Sequence, residues 1–128
     1  MAVRVLIVDD HESFRSAAKA VVLGTDGFEV AGEAADGEAS IEAAGSLRPD
    51  IVLMDVNLPG ISGVEATRQI RSALPRVVVL LLSARDTNEF DHAAEDCGAA
   101  GYLAKAHLSP EQLSDLWDRE RKRAHHHI

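Results

Sequence analysis

The stretch Asp50-Ile-Val-Leu-Met-Asp-Val-Asn-Leu-Pro-Gly60 decides the fold. The apolar run Ile51 to Met54 follows a Pro49-Asp50 break, meets Asp55 directly, and leads into a Leu58-Pro59-Gly60 loop. A short run with no polar alternation predicts a strand covered by helices on both faces. Val77 to Leu82 repeats the pattern ahead of Ser83, and Val3 to Val8, interrupted only by Arg4, repeats it ahead of Asp9 and Asp10.

The segments between these runs carry helical periodicity. Phe14, Ala17, Ala18, Val21 and Val22 share one helix face before Gly24 and Asp26-Gly27 turn the chain. Phe28 to Gly32 reads as a weaker strand, and Asp36 as the cap of a helix carrying Ile41, Ala44 and Leu47. Ser62 with Glu65 has the capping-box form at the head of a helix presenting Ile70 and Leu74, which Pro75 follows. Phe90, Ala93, Ala94 and Cys97 predict a fourth helix with Cys97 in the core, ended by Gly98; Gly101 to Ala104 is then a fifth strand. Ser109-Pro110 with Gln112 opens a fifth helix bearing Leu113, Leu116 and Trp117. Strands alternating with helices through short connections predict an α/β fold: a parallel sheet with right-handed crossovers and helices on both sides.

The whole chain has 128 residues, 46% of them hydrophobic, enough for one domain with a core of its own. Domains of this size bury roughly 68–70% of their unfolded surface. With 13 Lys plus Arg against 21 Asp plus Glu the net charge is -8, which argues against direct nucleic-acid binding by this segment. The basic run Arg119 to Arg123 reads as a solvated helix end. A lone Cys97 excludes an internal disulfide, no signal-peptide pattern opens the chain, and no apolar run is long enough to span a membrane, so a cytoplasmic location is expected. Residues 1–123 form the predicted domain, and 124–128, with His125, His126 and His127, a disordered tail that is natural or tag-derived.

Ligand sites on parallel α/β sheets lie beyond the carboxyl ends of the strands, where strand order reverses. The residues at those ends are Asp9 and Asp10, Asp55, Ser83 and Lys105. Any one alone is an ordinary loop or capping residue, but three converging carboxylates repel one another. A single pair 4 Å apart costs about 4 kcal/mol at an effective dielectric of 20. A Mg²⁺ ion with oxygen ligands and the Lys105 ammonium would offset that repulsion, and such a cluster suits phosphoryl transfer with a carboxylate as nucleophile. There is no P-loop or G-x-G-x-x-G, and Ser13, Ser62 and Ser83 lack a G-x-S-x-G setting. His11 reads as a helix-start residue.

These residues, as a set, resemble the receiver domain of two-component response regulators. The segments carrying the likeness are Val5-Leu-Ile-Val-Asp-Asp-His11, Asp50 to Gly60, Leu82-Ser-Ala84 and Gly98-Ala-Ala-Gly-Tyr-Leu-Ala-Lys105. Together with Gly32-Glu-Ala-Ala-Asp-Gly37 they look most like the NarL/FixJ-type subgroup, whose receivers usually precede a helix-turn-helix DNA-binding domain. The resemblance implies a flavodoxin-like (βα)5 fold with strand order 2-1-3-4-5. It implies Asp55 as phospho-acceptor from a sensor histidine kinase, and Mg²⁺ held by Asp9, Asp10, Asp55 and the backbone carbonyl of Asn57. Lys105 would pair with the phosphoryl group, the Ser83 hydroxyl would bond to it, and Tyr102 would follow Ser83. Asn57, Ala84 and Arg85 occupy positions that tune access to the phosphoryl group. The switched surface would be the fourth helix, fifth strand and fifth helix, with homodimerisation on phosphorylation as one outcome. Catalysis would extend no further than Mg²⁺-dependent self-phosphorylation and self-dephosphorylation.

Lys105 is followed by Ala106 where many receivers have proline, which predicts a looser approach for the lysine. One domain fills the length, so a transcriptional effector is expected outside these residues; a stand-alone receiver or phosphorelay protein is the neighbouring alternative. A haloacid-dehalogenase-like phosphohydrolase also uses an aspartyl nucleophile with Mg²⁺, but its motif needs a second Asp where this chain has Asn57.

Overall fold

The computed structural model describes residues 2–84 and 96–126. In chain order the elements are β1 (Val3–Val8), α1 (Glu12–Leu23), β2 (Phe28–Ala34), α2 (Gly37–Leu47), β3 (Ile51–Asp55), α3 (Gly63–Ala73), β4 (Val78–Ser83), β5 (Gly101–Ala104), a 3-10 turn at Lys105–His107, and α4 (Pro110–His126). The strands pair in parallel in the order β2-β1-β3-β4-β5, the expected flavodoxin-like topology.

β1 and β5 have the expected limits, whereas three strands run further toward their carboxyl ends. β2 continues to Ala34 because Val8 at the end of β1 pairs with it. β3 continues into Asp55, opposite Leu82, and β4 into Ser83, opposite Ala104. Asp55 and Ser83 therefore stand on hydrogen-bonded strand rather than on loop, which restricts their backbones.

Side-chain alternation splits the core into two layers. Leu6, Val8, Val52, Met54, Val79 and Leu81 pack toward α2 and α3, together with buried Cys97. Val5, Ile7, Ile51, Leu53, Leu80 and Leu82 pack toward α1 and α4, where Leu113 and Leu116 are buried and Trp117 is half-buried. The two-sided burial accounts for the unbroken apolar runs in β3 and β4.

Local signals set the helix starts. The Asp36 carboxylate accepts from Ala39 N at 2.7 Å, Ser62 Oγ from Glu65 N at 3.1 Å and Ser109 Oγ from Gln112 N at 3.2 Å. Only half of the predicted capping box at Ser62 forms, because the Glu65 carboxylate turns to Arg68 and Gln69 instead. α4 remains helical through His126, past the point where the sequence predicts a disordered tail. It is the fifth helix of the sequence reading; the fourth, with Phe90, Ala93 and Ala94, lies outside the described residues. Among the described residues no helix is long and apolar enough to cross a membrane.

Candidate functional site

Strand parity gathers the charged groups. Residues 5 and 7, 51 and 53, and 103 all face α1 and α4, so Asp9, Asp55 and Lys105, each continuing the same alternation, emerge together on that side. Val8 pairs with Met54, which sets the next residues, Asp9 and Asp55, beside each other. Both are buried, at 0% and 2% exposure.

The Lys105 ammonium stands 2.6 Å from Asp9 Oδ2 and 3.4 Å from Asp55 Oδ2. Its approach is set by the 3-10 turn that begins at Lys105, and by Phe14, whose ring centroid lies 4.7 Å from Nζ. A cation over an aromatic face is attracted by the ring quadrupole, so Phe14 steadies the lysine without a polar partner. The lysine is thus held on two carboxylates and a ring, although Ala106 stands where proline is common.

Burial pushes the Asp55 carboxyl above the usual carboxylate range, and the Asp9 charge adds to that; the Lys105 cation and the Asn57 N–H, which donates to Asp55 Oδ1 at 3.2 Å, oppose it. Burial pulls Lys105 down, but its hydrogen bond to Asp9 and the attraction of Asp55 and Asp9 together outweigh this, so its net shift is upward.

Asp10 is at the more open side of the cluster, and His11 joins it: Nδ1 lies 3.1 Å from Asp10 Oδ1 and 3.2 Å from Asp9 Oδ1, while the His11 N–H donates to Asp9 Oδ1 at 2.8 Å. His11 occupies the N-cap of α1, as expected, but its side chain makes no capping bond. Arg15 on α1 donates to the Asp9 carbonyl at 2.7 Å and reaches Glu33 on β2 at 3.1 Å, bracing the β1 end from behind.

One ligand atom each from Asp9, Asp10, His11 and Asp55 falls within 4.8 Å of the others. Three carboxylates against one ammonium leave surplus negative charge around a set of oxygen donors, the chemistry a hard divalent cation requires. The residues present fit Mg²⁺.

Of the remaining predicted positions, Asn57 follows β3, Ser83 and Ala84 stand at the end of β4, and Tyr102 lies on β5. Ser83 is buried at the end of β4, and Tyr102, paired with Leu81 two residues earlier, shares the sheet face of Ser83 and is 38% exposed. Asn57 and Ala84 are exposed at the rim. Arg85 lies outside the described residues.

Gly63 has a role that sequence reasoning missed. It opens α3 with its N–H on the Val56 carbonyl at 2.9 Å, and a Cβ there would stand 2.0 Å from the Asp55 carbonyl oxygen. Only glycine lets α3 start this close to the acidic strand end. Phe14 and His11 read from the sequence only as helix residues, and nothing in the sequence singles out Arg15; the Asp-Asp-His sequence is the one available hint for His11.

Comparison with known proteins agrees with this geometry. The sequence matches the family described as "Response regulator receiver domain" over residues 5–117. The chain belongs to that family. The receiver is 41% identical over 103 residues to response regulator GacA of Pseudomonas viridiflava, covering 80% of this chain and 48% of that protein. It is 37% identical over 114 residues to response regulator UvrY of Escherichia coli, covering 89% and 52%. Among solved structures it is similar to the signal receiver domain of NarL from Mycobacterium tuberculosis, with TM-score 0.84 and 33% identity over 94% of this receiver and 97% of that chain. These relatives are of the NarL/FixJ type that the sequence motifs indicated. The chain spans about half the length of the curated relatives it matches. The family match leaves the phosphohydrolase alternative without support.

Proposed function

We propose that this receiver accepts a phosphoryl group on Asp55 from the phosphohistidine of a sensor kinase and thereby alters its association surface. The observation that carries the proposal is the Lys105 ammonium bridging two buried carboxylates of adjacent strand ends, at 2.6 Å from Asp9 and 3.4 Å from Asp55. In the transfer a carboxylate oxygen of Asp55 forms a bond to phosphorus, the phosphorus–nitrogen bond of the donor breaks, and the leaving imidazole takes a proton from solvent.

Asp9, Asp10 and Asp55, with the backbone carbonyl of Asn57, would hold Mg²⁺, whose charge offsets the negative charge gathered on the phosphoryl oxygens. Lys105 supplies the second positive charge and is free to exchange its carboxylate contact on Asp55 for the phosphoryl oxygens. Ser83 donates its hydroxyl to one of these, and Tyr102, on the same face of the sheet, repacks with it. Phosphorylation exchanges one carboxylate charge for a more negative group with three strong acceptors, enough to shift two loop arrangements a few kcal/mol apart. Asn57, Ala84 and Arg85 control how water reaches the group, and hence self-dephosphorylation.

The surface of the fourth helix, β5 and α4 carries the change to a partner. Given relatives about twice as long, the output is transcription through a helix-turn-helix segment outside these residues, with homodimerisation as the accompanying step, a sensor histidine kinase as donor and the cytoplasm as the receiver's location. The receiver itself, with its acidic balance, makes no direct contact with DNA.

Intact mass after treatment with acetyl phosphate and Mg²⁺ tests the reading. One added phosphoryl group is expected in the parent and none in Asp55→Ala. Equal labelling of both overturns it.

A further inference from the structure

We propose that Glu38, in the first turn of α2, is a positioning residue for phosphoryl transfer: it holds the loop between β3 and α3 and, through that loop, the backbone carbonyl of Asn57. This role rests on the reading of Asp55 as phospho-acceptor and of Asn57 as a backbone ligand, and adds to it a side chain from a separate helix.

Glu38 Oε1 accepts a hydrogen bond from the Ile61 N–H at 3.0 Å, between residues 23 positions apart in sequence. Both oxygens of the same carboxylate lie against Gly60, where a Cβ would stand 2.6 Å from Oε2 and 2.7 Å from Oε1. Gly60 also has φ +77°, in the left-handed region that favours glycine, so the turn and the approach of the carboxylate make the same demand on this position. Gly37 completes the grip, because a Cβ on it would stand 2.5 Å from Ile61 Cγ1 and 2.8 Å from the Ile61 carbonyl oxygen.

Both partners of this contact are anchored. Asp36 caps α2 by accepting from the Ala39 N–H at 2.7 Å, and Gly37 is buried. The loop is closed at its base, where the Val56 N–H donates to the Leu82 carbonyl at 2.9 Å and the Gly63 N–H to the Val56 carbonyl at 2.9 Å. Leu58 and Ile61 pack on the core. Asn57 stands between the base and the part that Glu38 grips, with its own N–H on Asp55 Oδ1 at 3.2 Å. A backbone carbonyl is a ligand only where the chain puts it, and partners that orient a ligand without touching the ion govern its contribution.

An acidic residue in the first turn of a helix has an ordinary role, which is to complement the helix dipole. That role needs a charge and no particular acceptor. Receiving the Ile61 N–H needs an acceptor and no charge. Glutamine keeps a carbonyl oxygen at the same reach and loses the charge, so it separates the two.

The test compares the full chain with Glu38→Ala and Glu38→Gln, by calorimetric titration with MgCl₂, by solvent exchange of the Ile61 amide and by the initial rate of labelling with acetyl phosphate. Glu38→Ala is expected to weaken Mg²⁺ binding about three- to tenfold, as one hydrogen bond is worth, and to speed Ile61 exchange by about the same factor. Its labelling at subsaturating Mg²⁺ should slow in proportion, with the final stoichiometry still one phosphoryl group. Glu38→Gln should stay within about twofold of the parent in all three. Mg²⁺ affinity unchanged in Glu38→Ala, or lowered equally in both variants, overturns the positioning role, while labelling of the parent upholds the phospho-acceptor reading. A parent that binds Mg²⁺ in a Glu38-dependent way but gains no phosphoryl group overturns the phospho-acceptor reading alone.

Discussion

Lys105 Nζ and Asp9 Oδ2 are 2.6 Å apart, which ties the end of β5 to the end of β1 across the mouths of the two strands between them. Asp9 is buried, so the contact neutralises a charge that water cannot reach. The same ammonium touches Asp55 at 3.4 Å, and one cation therefore balances two carboxylates.

Removing it has two opposing effects. Lys105→Ala is expected to destabilise the fold by about 1–3 kcal/mol, since it leaves buried carboxylates unbalanced at a site partly open to solvent. It is also expected to tighten Mg²⁺ binding about three- to tenfold, because a competing positive charge is gone. Denaturant titration and calorimetry measure the two. Weaker Mg²⁺ binding in the variant would contradict the shared-carboxylate arrangement.

Asp55 gives a pH signature. Its carboxyl is raised by burial and by Asp9, so its stabilising contribution is complete below the ordinary carboxylate value and is lost as pH rises through the higher native value. Asp55→Asn removes that loss. The variant is expected to be more stable than the parent at neutral pH by about 1 kcal/mol, roughly 4 °C in Tm, with the difference shrinking toward pH 4. Lys105, raised overall, contributes stability that is present below about pH 10.4 and lost above it. Thermal melts across pH check both; an Asn variant less stable at pH 7 contradicts the assignment.

Gly63→Ala should be costly despite conserving helix character. Its methyl group would press on the Asp55 carbonyl oxygen, which belongs to backbone and cannot swing aside. A loss of about 2–3 kcal/mol is expected, with amide shifts concentrated at Asp55 and Val56. Gly45, around which a Cβ meets nothing within 4 Å, is the control: Gly45→Ala should stabilise α2 slightly.

Ser83→Ala is expected to leave the fold intact, the change being one oxygen at a strand end. With beryllofluoride and Mg²⁺, the parent should show amide and ring shifts at Tyr102, and the variant should lose most of them. Full Tyr102 shifts in Ser83→Ala would remove the hydroxyl from the switch.

The strands and most helix starts were legible in order and type, because two-sided burial writes unbroken apolar runs such as Val77 to Leu82 and because Asp36, Ser62 and Ser109 cap with local bonds. Strand ends were less legible. Whether Asp55 and Ser83 are strand or loop depends on partners Leu82 and Ala104, far away in sequence.

Order along the chain likewise determined which acidic and basic residues emerge at one end of the sheet, since strand and helix alternation fixes direction. Tertiary packing decided what they do to one another. Phe14 lies under Lys105, His11 turns to two aspartates instead of capping α1, and Gly63 admits α3 against the Asp55 carbonyl. These are contacts between separate elements or choices between competing partners. Their energies depend on distance and burial, quantities that exist only once the sheet has closed around them.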